Sequence, residues 1–498
     1  MKIIFVYPAY ESLGIEYLSA VLKKNGHQTE LAFDPCLFND DGLYSKYLEG
    51  LFSFKGQMID KIVRSSPGLV CFSCVSDRYP WACEIARGIK EKIKVPIVFG
   101  GIHPTSVPEK VIKNEFVDFI ITGEGEGALA DLVQKLENQD SDFRINNLWS
   151  KKDGQVIANE PRGLIQDLDS LPFPDKNLYS GEFTDFHKQY SIITSRGCPF
   201  SCTYCSNSYL KEFYRGKGEF LRFRSVENVI KELKLAKERY KMGSVLFFDE
   251  ELFSDSNRAK RLLSLYKKEI GLPFWCYINP QIMDEEKIAL LEESGCNSVE
   301  MGVQDTDADI NKNILKRKID LGHLKKVIRG LRKAKISIFN DIILGLPTQK
   351  EHNLIETVSF FNENRIDHPM LYWLRYYPRT EIVGIAMKEG ALSPDKYEML
   401  EGASCSFFIG GSTYNPRIAR IANLFYLCCI LPGWLMSLII RKKAYRYFPP
   451  LSLRFYLDEV IAVKRYFLQL LGLKKKRIYF AGKTPVYLHY FLKWLTIR

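Results

Sequence analysis

Over the first 140 residues, short apolar runs alternate with longer segments of helical period. Ile3–Val6, Thr29–Phe33, Leu69–Phe72, Pro96–Phe99 and Phe119–Thr122 are largely apolar and of strand length. Between them, Gly14–Lys24 places Ile15, Leu18, Val21 and Leu22 on one helical face, and Gly26 ends the segment. Pro80–Lys92 predicts a second helix, and a third follows Gly123-Glu-Gly-Glu126 and runs through Leu136. This alternation predicts an open parallel sheet with helices on both faces, which binds ligands at the carboxyl ends of its strands. Small residues fall at those ends: Ser73, Ser76, Gly100, Gly101, Gly123 and Gly125.

Residues 141–185 are polar and rich in Asp, Asn, Gly and Pro, with Leu171-Pro-Phe-Pro-Asp175 near their end. The stretch reads as a linker. The strand–helix alternation resumes over 186–400. The candidate strands are Tyr190–Thr194, Ser244–Phe248, Phe274–Ile278, Ser298–Val303, Ser337–Ile343 and Met370–Leu374. Six βα units predict a partial (β/α)6 barrel with its chemistry at the carboxyl ends of the strands. Residues 401–498 read as mainly helical. The fold class is therefore α/β: a Rossmann-like domain over 1–140, a partial barrel over 186–400 and a helical C-terminal region.

Composition changes this picture in one place. The 498 residues are 46% hydrophobic and 26% charged, which excludes a disordered chain. The opening MKIIFVYPAY has an apolar run too short for a secretion signal, so a cytoplasmic protein is expected. The net charge of +11 is uneven: residues 415–498 hold 16 Lys/Arg against 2 Asp/Glu, and 16 aromatic residues. Within them, Ile421–Ile440 is uncharged and flanked by Arg417, Arg420 and Arg441-Lys-Lys443. Pro432-Gly433 at its centre favours a bent, interfacial segment on an anionic membrane surface over a straight span. A helical cap on the barrel with a solvated basic face is the alternative. No recognition motif accompanies the basic charge, so nucleic acid is not an expected partner.

Twelve cysteines occur, and three are clustered: Cys198, Cys202 and Cys205, directly after the first strand of the second unit. The spacing is C-x3-C-x2-C. Three thiolates this close suit three irons of a [4Fe–4S] cluster and leave one iron open to a small molecule. Zinc more often takes four ligands in pairs, and no matching Cys/His pair follows.

On these residues the chain resembles the radical S-adenosylmethionine (SAM) superfamily. Tyr204, the aromatic before the third cysteine, fits the same pattern. The resemblance continues in order over about 200 residues. Phe247-Phe-Asp-Glu-Glu-Leu-Phe253 matches the strand edge that receives the SAM amino group, implying Phe248, Asp249 and Glu250 as contacts. Glu300 and Gln304 match fourth-strand positions, Gln304 near the ribose or methionine portion. Lys316 or Arg317 would pair with the carboxylate, and Gly345 belongs to a motif packing along the adenine. A Rossmann-like sheet before such a barrel is similar to the cobalamin-binding subfamily, in which Ser73, Gly100, Gly101 and Gly125 would line the cofactor's nucleotide tail. No Asp-x-His-x-x-Gly sequence is present, so cobalt would lack a lower histidine ligand.

What the resemblance implies is a [4Fe–4S] cluster, SAM and cobalamin acting in methyl transfer to an unactivated carbon through a 5′-deoxyadenosyl radical. The substrate would be a small molecule or lipid, and the electron would come from a donor such as a flavodoxin or ferredoxin. A cobalamin radical SAM cyclase or oxidoreductase without methyl transfer, and a non-catalytic cofactor-binding protein, are the alternatives. No acid–base catalytic residue is assigned.

Overall fold

A computed structural model of the chain describes residues 1–39, 45–152, 154–182, 188–401, 413, 415–450, 453–470 and 489–494. The first sheet contains β1 (Lys2–Pro8), β2 (Gln28–Asp34), β3 (Leu69–Ser73), β4 (Ile97–Gly100) and β5 (Phe119–Ile121), all parallel, in the order β2-β1-β3-β4-β5. Side chains alternate across a strand. Ile3, Phe5 and Tyr7 of β1 therefore join one core, and Ile4 and Val6 join another on the opposite face. Burial on both faces is why these strands read as continuous apolar runs.

The stretch 141–185 is more than a linker. Within it, β6 (Leu148–Lys152) pairs antiparallel with β5, and β7 (Gln155–Ala158) pairs antiparallel with β6, extending the first sheet to seven strands. Its polar composition hid them: β6 buries only Leu148 and Ser150, alternating with less buried neighbours, and β7, the edge strand, has no buried residue.

The second sheet is parallel and open. It contains β8 (Gln189–Ile192), a short β9 (Ser195–Arg196) and β10 (Arg222–Phe223) forming an antiparallel pair beside it, then β11 (Ser244–Phe247), β12 (Phe274–Ile278), β13 (Cys296–Gln304), β14 (Ser337–Leu344) and β15 (His368–Trp373). The order β15-β14-β13-β12-β11-β8 is that of a six-stranded partial barrel. Val299, Met301 and Val303 of β13 and Ile338, Ile342 and Leu344 of β14 pack outward in the main core. By alternation, Glu300, Phe339 and Asp341 face the concave side. Leu246, Trp275 and Phe339 form a separate apolar cluster there, with Trp275 stacked on Phe339 at 4.6 Å.

The apolar segment 421–440 is bent, as its proline predicts. One helix, Pro416–Ile430, ends at Leu431, and a second, Gly433–Arg441, starts after Pro432. The first helix packs on the barrel: Ile421, Leu424, Phe425, Cys428 and Cys429 belong to the barrel core, and Phe425 meets Phe361 edge-on at 5.0 Å. Among the described residues, no helix is long and apolar enough to cross a membrane.

Candidate active site

At the carboxyl ends of the first sheet, a cavity of about 250 Å³ is walled by Phe5, Leu18, Val98, Ile121 and Leu129 and by the backbones of Ser73, Gly100, Gly101 and Gly125. The four residues expected from the resemblance thus share one cavity. Gly101 sits at φ 96°, and a Cβ there would lie 2.7 Å from the backbone N and O of Cys74. The β4 turn can pass this close to the β3 turn only without a side chain. Among the described residues, no histidine lines the cavity. His103 is fully buried beside it, holds Ser76 Oγ through Nδ1 at 2.9 Å and packs on Tyr79. Burial lowers its pKa to about 4, so it serves as a neutral turn-holding group. A slot walled by apolar side chains and glycine backbone, with Glu124, Glu126 and Arg196 also in its lining and no imidazole among the described residues there, fits the nucleotide tail of a corrinoid held without a protein histidine.

The three clustered cysteines lie on the loop between β9 and the helix Ser206–Phe213, half-buried and unbonded to one another. Two devices fix this loop. Gly197 at φ 89° lets the chain pass Phe220, whose carbonyl oxygen would lie 2.2 Å from a Cβ. Thr203 donates to the Ile314 carbonyl at 2.6 Å, pinning the loop to the turn that follows β13. Burial raises Cys198 to about 12 and Cys205 to about 11, so positive charge must be supplied before these thiols ionise near neutral pH. Among the described residues, no three His, Cys, Asp or Glu side chains converge to hold a single metal ion. A four-iron cluster takes one thiolate per iron, so its ligands need not converge on one point. The donor set fits the cluster and not zinc.

The expected SAM contacts separate into groups. Phe248 is 41% exposed on the concave side, with its ring 5.7 Å from that of Tyr277. Glu250 sits near the thiols, and Asn207 donates to it while burial raises its pKa. Asp249 is sealed in: its Oδ1 accepts from Thr194 N, Thr194 Oγ1 and Ser195 Oγ, which fixes the strand end that launches the cysteine loop. Lys316 pairs with Glu381 at 2.5 Å on the surface. Arg317 instead points at the loop, with Nη1 3.5 Å from Cys202 Sγ and 3.4 Å from Tyr204 Oη and Nη2 donating to the Gly302 carbonyl at 2.7 Å. Of the two cations considered, the fold brings Arg317 to the cluster loop. Gln304 is buried at the end of β13 at φ 69°, and Gly345 turns at φ 77° at the end of β14. Glu300 lies lower in the concave wall, bonded to Asp341 and Tyr372. Burial, and then Asp341 itself, hold Glu300 well above the carboxylate range.

The charged seam between the two units was not legible beforehand. Arg196, two residues before Cys198, bonds Glu124 Oε1 at 3.0 Å and Glu126 Oε1 at 2.5 Å. Arg222 bonds the same Glu124 at 2.9 Å. Burial is the largest single influence on Glu126 and would raise it, but the charge and hydrogen bond of Arg196, a backbone hydrogen bond and the charge of Arg222 together hold the carboxyl below its ordinary value. Arg196, Glu124 and Glu126 also line the cavity of the first domain. The acids were visible in Gly123-Glu-Gly-Glu-Gly127, but their cationic partners lie 70 residues away or more. A lone arginine before a Gly-Cys pair gives no signal of where it points.

Comparison with known proteins agrees with this geometry. Residues 192–361 match the radical SAM superfamily, and residues 4–133 match the B12-binding domain. An uncharacterized methyltransferase of Pyrococcus horikoshii is 28% identical over 413 residues, covering 79% of this chain and 84% of the relative. An anaerobic magnesium-protoporphyrin IX monomethyl ester cyclase of Rubrivivax gelatinosus is 24% identical over 407 residues, covering 76% of this chain and 68% of the relative. The cobalamin-dependent S-adenosylmethionine radical enzyme OxsB, solved with aqua-cobalamin, shares the fold at a TM-score of 0.65 and 14% identity, covering 100% of this chain and 79% of that one.

Proposed function

We propose that this chain, which belongs to the radical SAM superfamily and carries a B12-binding domain, is a cobalamin-dependent radical SAM methyltransferase that methylates an unactivated carbon of a small-molecule or lipid-like substrate. One observation carries the reading. The apolar cavity at the strand ends of the first domain and the three-cysteine loop at the strand ends of the barrel meet at one side chain, Arg196, which lines the first and leads into the second. The similarity to the Pyrococcus horikoshii methyltransferase over four-fifths of both chains supports the choice of methyl transfer.

When bound, the cluster with SAM supplies a carbon-centred radical and cobalamin supplies a methyl group. The chain's own part is to hold and orient. Cys198, Cys202 and Cys205 would ligate three irons, leaving the fourth for SAM. Arg317, fixed by the Gly302 carbonyl, puts a positive charge beside Cys202. Asp249 anchors Thr194 and Ser195, so the loop starts from a fixed point. Gly100, Gly101 and Gly125 let backbone approach the corrinoid tail. Phe248, Tyr277 and Tyr372 line the concave wall and exclude water from the substrate carbon. Single electrons would come from a flavodoxin- or ferredoxin-type donor.

Anaerobic reconstitution with iron, sulfide and hydroxocobalamin tests the cofactor set. About four irons and one cobalt per chain are expected, followed by transfer of label from methyl-labelled SAM to product. Cofactors bound and SAM cleaved to 5′-deoxyadenosine, with a product that gains no label, would replace methylation with ring formation or oxidation, as in the cyclase relative. Iron without cobalt would overturn the methyltransferase reading.

For the C-terminal region we propose a peripheral contact with an anionic membrane face, in a protein that otherwise works in the cytoplasm. Trp434 is 70% exposed and Tyr447 91% exposed, and they flank the basic run Arg441-Lys442-Lys443. Co-sedimentation with phosphatidylserine vesicles, lost in Trp434→Ala, is the expected outcome. Equal sedimentation of wild type and variant, or none, would overturn it.

A further inference from the structure

The turn Gly123–Glu126 forms one wall of the first-domain cavity. It is held from the other side by the segment that carries the cysteines. Arg196 bonds both Glu124 and Glu126, and Arg222 bonds Glu124 through both carboxylate oxygens, at 2.9 and 3.1 Å. The Glu124 N–H donates to Tyr214 Oη at 2.6 Å, and a Cβ on Gly123 would lie only 1.8 Å from that oxygen. The two arginines face each other across the β9–β10 pair, whose strands enclose the cysteine loop. Arg196 also stacks over the ring of Tyr17, another residue of the cavity wall, at 5.4 Å. The wall of one site and the entry to the other are therefore joined by direct contacts.

We propose that Arg196 is a positioning residue that couples the two cofactor sites, so that a formed cluster strengthens corrinoid binding and a bound corrinoid steadies the cysteine loop. The inference rests on the reading of the cavity as a corrinoid site. The physical reason is shared ordering: a corrinoid pressed against Gly123–Glu126 fixes the carboxylates that Arg196 must meet, and a cluster on Cys198 fixes the backbone that carries Arg196. Such coupling is reciprocal, and between distinct sites it is usually of the order of 5- to 150-fold in affinity. An interface ion pair with only a structural role would lower the stability of both forms and leave the ratio of affinities unchanged.

The test is the ratio of hydroxocobalamin dissociation constants for the iron-free and the cluster-reconstituted full chain, read from the visible spectrum. Wild type is expected to bind about fivefold or more tightly once the cluster is present. Arg196→Met should bring the ratio close to one, and Arg196→Lys, which keeps the charge and loses the fork to two carboxylates, should restore part of it. Tyr214→Phe removes one hydroxyl and leaves both arginines in place. It should lower the ratio without abolishing it, and it decides the matter if Arg196→Met does not fold. A wild-type ratio of one, or a full ratio in Arg196→Met or Tyr214→Phe, would overturn the coupling and leave the methyltransferase reading standing. Failure of both forms to retain hydroxocobalamin would overturn both.

Discussion

Glu126 at the seam between the domains and the pair Glu300–Asp341 in the barrel wall are carboxyl groups withdrawn from water. Glu126 faces Arg196 at 2.5 Å and is held below its ordinary pKa. Glu300 and Asp341 face each other, and burial raises both. Arg454, on the C-terminal helix Arg454–Leu470, exerts only a lesser pull on Glu300. Burial alone does not set the state of a carboxyl group. A guanidinium in contact keeps it charged and makes it a clamp, whereas a second carboxyl in contact makes the pair hold a proton. The clamp sits where two domains must keep a fixed relation. The proton-holding pair sits where Tyr277 and Tyr372 enclose a polar spot above an apolar floor.

Removing one partner of the clamp should have the largest effect. Glu126→Ala leaves a mostly buried guanidinium with only one of its two carboxylates, Glu124, and should cost about 3 kcal/mol, read as a lower urea midpoint. Gly123→Ala should cost about 2 kcal/mol by forcing a side chain into the left-handed region and against Tyr214 Oη, seen in the same titration. Glu300→Gln should change stability by less than about 1 kcal/mol, because an amide replaces the member of the pair held well above the carboxylate range. A loss as large as that of Glu126→Ala would break the contrast between the two regions.

The smallest effect is in the pH profile, where the two regions have opposite signs. Near pH 4 or below, about the ordinary carboxylate value, the Glu300–Asp341 pair is protonated in both folded and unfolded chains. As pH rises towards the value of about 7 to which Asp341 is pushed, the unfolded chain has released its proton and the folded chain retains it. Stability therefore falls across that window. Glu126 stabilises the fold above the ordinary value and loses that contribution as pH falls through its lowered one. Melting temperatures between about pH 4 and 7 should fall more steeply for wild type than for Glu300→Gln/Asp341→Asn, and equal slopes would refute the assignment.

Much of the architecture was legible because it rests on local rules. The strands of both sheets were read within a residue or two, except Leu148–Lys152 and Gln155–Ala158, which bury few side chains and so carry no apolar run. That the three cysteines share one loop was legible because their spacing alone sets it. The choice of Arg317 over Lys316 was not, since adjacent cations at a turn point to different sides and only packing decides which reaches Cys202. The tail was legible as bent, and its first helix proved to be barrel core, because its apolar face meets the helix Glu351–Asn364.

By itself, the sequence determined the periodicities that make two α/β sheets, the glycines that only a backbone without Cβ could use, and the C-x3-C-x2-C loop, because each is a property of neighbouring residues. The tertiary structure alone decided which charges meet. It brought Arg196 and Arg222 to Glu124 and Glu126, and Glu300 to Asp341, across separations of 41 to 98 residues. The energy of a buried charge depends on what stands within a few ångströms of it, and that distance exists only once the chain has folded.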